Sequence, residues 1–290
     1  MHGAAARPHP LHARDRQHRR AGAPAVHHPH HEPAARPVSA EPSSEPSAAP
    51  SNPPSTPRDV AWEGLANGRD LGGLPLGDGA EAARGRVFRS GRPDGLTAAG
   101  WDALAAAGVR RIVDLRSDWE RTELPGVPAS VEIAHRPIED VDDEEFMAEW
   151  RAHLGGPAYY LAAMRRWPDR LVAALTAIAD APADGGVLVH CSAGRDRTGM
   201  IVALLLREAG AGVDAIADDY AAAARGIRAH FATMPDAPER PVEDAVFERA
   251  LAENLAALQV FLTEVDTAEG LRAGGADPGL LSRAAARLRG

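Results

Sequence analysis

A single cysteine, Cys191, is separated by five residues from Arg197 in the run Gly185–Gly199, GGVLVHCSAGRDRTG. A thiolate is a nucleophile, and a guanidinium is a planar fork that grips two oxygens of one anion. A connection of this length curls so that backbone N–H groups from about Ser192 to Arg197, through Ala193, Gly194, Arg195 and Asp196, point at one centre. Such a nest, set at a helix N-terminus, binds a phosphate dianion. Gly194 supplies a backbone angle that a side chain resists. Arg197 closes the ring, and Cys191 sits beneath the phosphorus, placed for in-line attack. The same N–H groups and the helix dipole favour its thiolate, the reactive form. Arg195 and Arg197 crowd a helix start, where cations oppose the macrodipole; a bound anion accounts for them.

These residues need a strand to deliver the cysteine and a helix to receive the loop. Val187, Leu188 and Val189 form a short apolar run after Gly-Gly, the pattern of a buried strand. Thr198 opens an apolar helix predicted over 198–209. Upstream, Arg86–Ser90 reads as a strand. Thr97–Gly108 has helical spacing, with Thr97 as N-cap and Gly108 as a C-terminal stop. Val109–Leu115 and Val131–Pro137 read as strands, and Glu139–Trp150 and Tyr159–Ala179 as helices. From Val213 the pattern is mostly helical, with a loop near Met234–Pro241. Strands alternating with helices predict an α/β fold: a central, mostly parallel sheet flanked by helices, with a largely helical C-terminal part. A loop at a strand's carboxyl end is where such sheets bind ligands.

The chain has 290 residues, a formal net charge of −9 and no lysine, so all 32 basic residues are arginine. One cysteine excludes an intrachain disulfide and a cysteine-rich metal site. The acidic balance argues against a general nucleic-acid binder. No apolar run reaches the length of a membrane span, and the N-terminus lacks the apolar core of a secretion signal, so a cytoplasmic location is expected. Residues 1–57 hold 12 of the 24 prolines and 8 of the 12 histidines. That composition reads as a disordered tail, in which His27, His28, His30 and His31 are incidental. Residues 58–290 fit one domain.

Five stretches carry a family resemblance: N-G-R-D-L-G-G at Asn67–Gly73, V-F-R-S at Val87–Ser90, D-L-R at Asp114–Arg116 with Glu120 following, H-C-S-A-G-R-D-R-T-G at His190–Gly199, and D-D-Y at Asp218–Tyr220. In these, over most of 60–290, the chain resembles the bacterial tyrosine/serine protein phosphatases, a branch of the protein-tyrosine-phosphatase superfamily. The resemblance implies a phosphatase-like fold and hydrolysis of phosphomonoesters through a phosphocysteine, with no metal and no cofactor. It implies Cys191 as nucleophile and Arg197 as transition-state clamp. It also implies Asp196 as general acid, because this branch carries an aspartate inside the loop. The implied substrate is a phosphorylated protein, phosphotyrosine first. Arg195 stands where the branch often has lysine, and its charge beside the phosphate makes a phosphoinositide the alternative substrate. A non-catalytic phosphate-binding module is the competing reading of the same loop.

Other residues admit two readings each. Asp114 ends a neighbouring strand, and strand ends face the same cleft, so it is the second candidate acid. Trp167-Pro168-Asp169 spells the mobile acid loop of other tyrosine phosphatases, yet it directly precedes the apolar-periodic LVAALTAIAD and reads as a helix start. His190 either holds the cysteine's geometry through a backbone hydrogen bond or is an ordinary buried histidine. Thr198 donates its hydroxyl to the thiolate or caps the helix. Asn67, Arg69 and Asp70 brace the cleft or form a polar turn. Arg116 with Glu120 reads as an ion pair, and Tyr159 and Tyr160 as helix packing.

Overall fold

The computed structural model describes residues 58–240 and 242–290; the histidine-rich stretch and the rest of 1–57 lie outside the described residues. Five strands, β1 (Arg69–Asp70), β2 (Val87–Ser90), β3 (Val109–Asp114), β4 (Glu132–His135) and β5 (Gly186–His190), form one sheet in the order β1-β2-β5-β3-β4. Only β1 runs antiparallel to its neighbour. The central β5 is buried along its whole length, which explains its unbroken apolar run.

The two-residue period of the strands divides the core. Val87, Val113, Val187 and Val189 face one apolar cluster, whereas Phe88, Ile112 and Leu188 face the other. Helix α1 (Ala98–Ala106) covers the second face through Trp101 and Leu104. The first face packs on α3 (Tyr160–Arg166, after α2 at Glu144–Trp150), α4 (Pro168–Ala179) and α5 (Asp196–Glu208). Behind these lie α6 (Val213–Phe231), α7 (Asp244–Glu264), α8 (Thr267–Ala273) and α9 (Leu280–Ala286), the helical C-terminal part that the sequence predicts. No helix among the described residues is long and apolar enough to cross a membrane.

Two predicted elements differ. Residues 139–143 are not helical; the helix starts at Glu144, where the Asp143 side chain accepts the Phe146 N–H. The helix expected over Tyr159–Ala179 breaks at Trp167, because a residue before proline is pushed out of the helical region. Pro168 then occupies the first turn of α4, so the Trp-Pro-Asp sequence is a helix start, as expected.

In register, Ser90 and Asp114 flank His190, so the carboxyl ends of β2, β3 and β5 lie side by side. A buried charge cluster ties this edge to α6. Asp219 of α6 meets Arg58 at 2.7 Å, Arg69 at 4.0 Å, and Arg89 of β2 through a hydrogen bond. Arg89 turns its other nitrogen to the Gly194 carbonyl at 2.7 Å. Burial opposes the Asp219 charge, but Arg89, Arg69 and Arg58 outweigh it and hold the carboxyl at about 2. Burial, with Arg89 beside it, pulls Arg69 down to about 10.

A carboxyl depressed by folding adds stability that is present above its unfolded value, near 3.9, and lost as pH falls through its folded value. Stability is therefore expected to fall from about pH 4 toward about pH 2. Asp219→Asn leaves buried guanidinium groups without their anion and should cost about 3–5 kcal/mol at neutral pH. The same substitution should flatten part of the acid-side loss. Urea unfolding of both proteins across that pH range measures each effect.

Candidate active site

Strand β5 ends at His190, and Cys191 opens a five-residue loop that runs into α5. Cys191 is 2% exposed and lines the floor of a cleft of about 530 Å³. The Gly194 N–H donates to Cys191 Sγ at 3.3 Å. The N–H groups of Ser192, Ala193 and Arg195 meet no backbone acceptor among the described residues. Backbone donors without a backbone acceptor, beside a buried sulfur and at the N-terminus of a helix, suit an anion. Gly194 has φ +69°, and a Cβ there would lie 2.3 Å from the Ser90 carbonyl, so only glycine fits.

The loop is held from outside. Asn67, itself in the left-handed region at φ 56°, donates to the carbonyls of Ala193 and, on α6, Ala223. Gly226 of α6 lets it approach, since a Cβ there would lie 2.4 Å from the amide oxygen. Arg69 donates to that same oxygen at 2.7 Å, so Asn67 and Arg69 brace the loop. Asp70 does not. Its carboxylate accepts the Gly72 and Gly85 N–H groups and closes a turn elsewhere.

Arg197 projects into the cleft and pairs with Glu120, Nη2 to Oε1 at 2.7 Å and Nη1 to the other oxygen. Glu120 also accepts the Ser192 hydroxyl at 2.6 Å and the Ser117 N–H at 3.0 Å. Burial opposes the Glu120 charge, but these donors hold its carboxyl at about 2. Glu120 therefore does not form the expected pair with Arg116. The Arg116 guanidinium turns back two residues onto Asp114, with contacts of 3.0 and 2.9 Å, because the strand ends there and the chain folds over. It also reaches Asp94 at 2.9 Å.

That capture corrects the reading of Asp114. The residue is buried, is clamped by Arg116, and is absent from the cleft wall. His190 is fully buried; one ring nitrogen meets the Cys191 carbonyl at 3.2 Å and the other lies 3.7 Å from Asp114. Burial lowers its pKa, so the ring is neutral at neutral pH. Thr198 plays neither expected part. It is the third residue of α5, and its hydroxyl has no partner among the described residues.

Asp196 lines the cleft. Both its oxygens face Arg195 Nε, at 3.1 and 3.0 Å, and the Tyr220 hydroxyl donates to one at 3.1 Å. The other end of Arg195 grips Glu239 of the α6–α7 loop through two contacts of 2.9 Å. Tyr159 and Tyr160 do more than pack. Tyr160 donates to the Asp196 carbonyl at 2.6 Å, and Tyr159 to Glu139 at 2.7 Å. Glu139, which sequence reading assigned only to a helix, lies in the cleft wall. Arg89 and Asp219 stand in the V-F-R-S and D-D-Y stretches, and their pairing is marked by burial rather than by sequence spacing.

A family model described as the tyrosine phosphatase family matches residues 60–273. The chain is 33% identical over 171 residues to a provisionally named tyrosine-protein phosphatase of Cupriavidus necator, covering 56% of this chain and 62% of that one. It is 36% identical over 135 residues to a tyrosine-protein phosphatase of Nostoc commune, covering 44% and 45%. It is 32% identical over 175 residues to the triple specificity protein phosphatase PtpB of Mycobacterium tuberculosis, covering 50% and 63%. The chain thus spans about half to under two thirds of the length of the curated relatives it matches. Among solved structures, P. aeruginosa TpbA in complex with pTyr aligns with a TM-score of 0.36 at 16% identity, over 78% of this chain and all of that one. From the match over 60–273, the chain belongs to the tyrosine phosphatase family.

Proposed function

We propose that this protein hydrolyses phosphomonoesters through a phosphocysteine, with phosphotyrosine in proteins as the preferred substrate. The carrying observation is the Cys191 sulfur at the base of an N–H-lined loop, with Arg197 in the same cleft. In this reading the N–H groups and the free edge of Arg197 hold the phosphoryl oxygens, and Cys191 attacks in line with the departing ester oxygen. A water then hydrolyses the S–P bond and releases phosphate. The donors are fixed before substrate arrives, which is how such loops stabilise the charge that develops in transfer.

A nucleophile and a cation clamp supplied by the chain need no added group. Turnover of para-nitrophenyl phosphate is therefore expected to survive EDTA and to vanish in Cys191→Ser. Rapid acid quench of the native protein should trap radiolabelled phosphate on the chain. Retained activity in the serine variant sinks the proposal. Binding of a phosphotyrosine peptide without turnover would instead favour a non-catalytic phosphate-binding module.

Substrate preference rests on the rim. Trp119 is 73% exposed, lines the cleft, and directly precedes the Glu120 that holds Arg197. An exposed indole at the mouth of an anion cleft suits an aryl phosphate, whose ring stacks while its phosphate descends. Aromatic pairs add about 0.5–1.5 kcal/mol beyond burial. Trp119→Ala is expected to raise KM for a phosphotyrosine peptide by roughly 2- to 12-fold and to leave that for the matching phosphoserine peptide unchanged. A parallel panel with phosphoinositide vesicles decides the alternative. Faster turnover of the lipid than of any phosphopeptide would overturn the preference for protein.

A further inference from the structure

Loss of an ester oxygen from phosphorus needs a proton when the leaving group is as basic as a tyrosine phenol. The donor must sit in the cleft, hold its proton at working pH, and lie beside the place where Arg197 grips phosphate. Asp196 meets the first condition, but Arg195 spans both its oxygens and Tyr220 donates to one of them.

Glu139 meets the first and the third, and burial pushes its carboxyl toward the protonated form. It is 8% exposed, lies in the cleft wall with Cys191, and follows β4 on a segment that Arg170 pins by its carbonyl and by Asp140. Glu120 occupies both terminal nitrogens of Arg197, so the edge left for a phosphoryl group includes Nε. Glu139 Oε2 lies 3.5 Å from that Nε. A phosphoryl group held there lies against Oε2. The Tyr159 hydroxyl donates to the opposite oxygen, Oε1, at 2.7 Å, which leaves the acid proton to Oε2.

The two glutamates around Arg197 have different surroundings. Glu120 is saturated with donors and ionised. Burial pushes the Glu139 carboxyl up; the Arg197 charge and the Tyr159 hydroxyl resist, and the neighbouring Glu120 and Asp196 carboxylates add to the push. A dianionic substrate adds to it further. Two carboxyl groups driven apart in this way mark out the acid from the anion.

We propose that Glu139 is the general acid of the reaction, rather than Asp196. This rests on the phosphocysteine reading above. In the first step the Cys191 sulfur forms a bond to phosphorus as the P–O ester bond breaks, and the Oε2–H bond gives its proton to the departing oxygen. In the second step a water forms the new P–O bond and returns a proton to the Glu139 carboxylate, and the S–P bond breaks to restore the thiolate.

Three variants, Glu139→Gln, Asp196→Asn and Tyr159→Phe, assayed on aryl phosphates of graded leaving-group pKa, test the assignment. Glu139→Gln keeps the Tyr159 contact but has no proton to give. It should slow phenol-like leaving groups by about 10²-fold or more and para-nitrophenyl phosphate much less. Because the acid must be protonated to act, the native rate falls as pH rises through its pKa, and Glu139→Gln should abolish that basic limb. Tyr159→Phe removes a donor that favours the carboxylate and should move the limb to higher pH. Tyr159→Phe decides the matter if Glu139→Gln does not fold. A steeper leaving-group dependence in Asp196→Asn alone, or equal losses on every substrate with the basic limb intact, overturns the proposal. Acid-quench trapping of phosphate on Cys191 is scored separately. Its absence in the native protein removes the phosphocysteine reading itself, whereas its presence with an unchanged leaving-group slope removes only Glu139.

Discussion

Asp219 answers three guanidinium groups with a single negative charge, and the placement of the Cys191 loop follows from that shortage. A buried ion pair is weak evidence of stability, since desolvation offsets much of the attraction. Its value here is direction. Arg89 cannot be satisfied by Asp219 alone, so it turns a nitrogen to the Gly194 carbonyl and fixes the loop against β2. The surplus of cation reaches the loop through that contact, where it favours an anion held by the loop.

The cations that face the cleft are arranged differently. Arg197 rests on Glu120, and Arg195 on Asp196 and Glu239. Each is held straight by carboxylates that leave part of its fork unused. Guanidinium suits this work because its donors lie in one plane and a single group serves partners on two edges. The chain has no lysine, so every cation in the site has this shape.

Much of this was legible in the chain. A run of valine and leucine ending in histidine and cysteine, then glycine and a helix, specified the strand, loop and helix that carry Cys191 and Arg197, and the alternating elements specified the parallel sheet. Asn67 stayed open between a brace and a polar turn, because only the fold brings the Ala193 carbonyl to its amide. What stayed hidden was long-range pairing. Asp114 looked like a cleft residue from its place at a strand end, but Arg116 two residues on captured it. Glu120 and Glu139 approach Arg197 from 77 and 58 positions away, and nothing in their neighbours marks it. The segment around Glu139 reads as the start of a helix because acidic residues crowd helix starts; here the helix waits until Glu144. The break at Trp167 was legible in principle, since proline disfavours the helical region for its predecessor.

The close approach of Gly194 to Ser90 has a consequence for motion. Loops on protein surfaces usually open on their own, at a free-energy cost far below that of unfolding the whole domain. This loop has its glycine wedged against the end of β2, its carbonyls held by Arg89 and Asn67, and its cysteine continuous with the most buried strand of the sheet. These contacts oppose its opening alone. The amide of Gly194 is then expected to exchange with solvent as slowly as the strands of the sheet, so that the Cys191 loop opens with the core rather than with the surface.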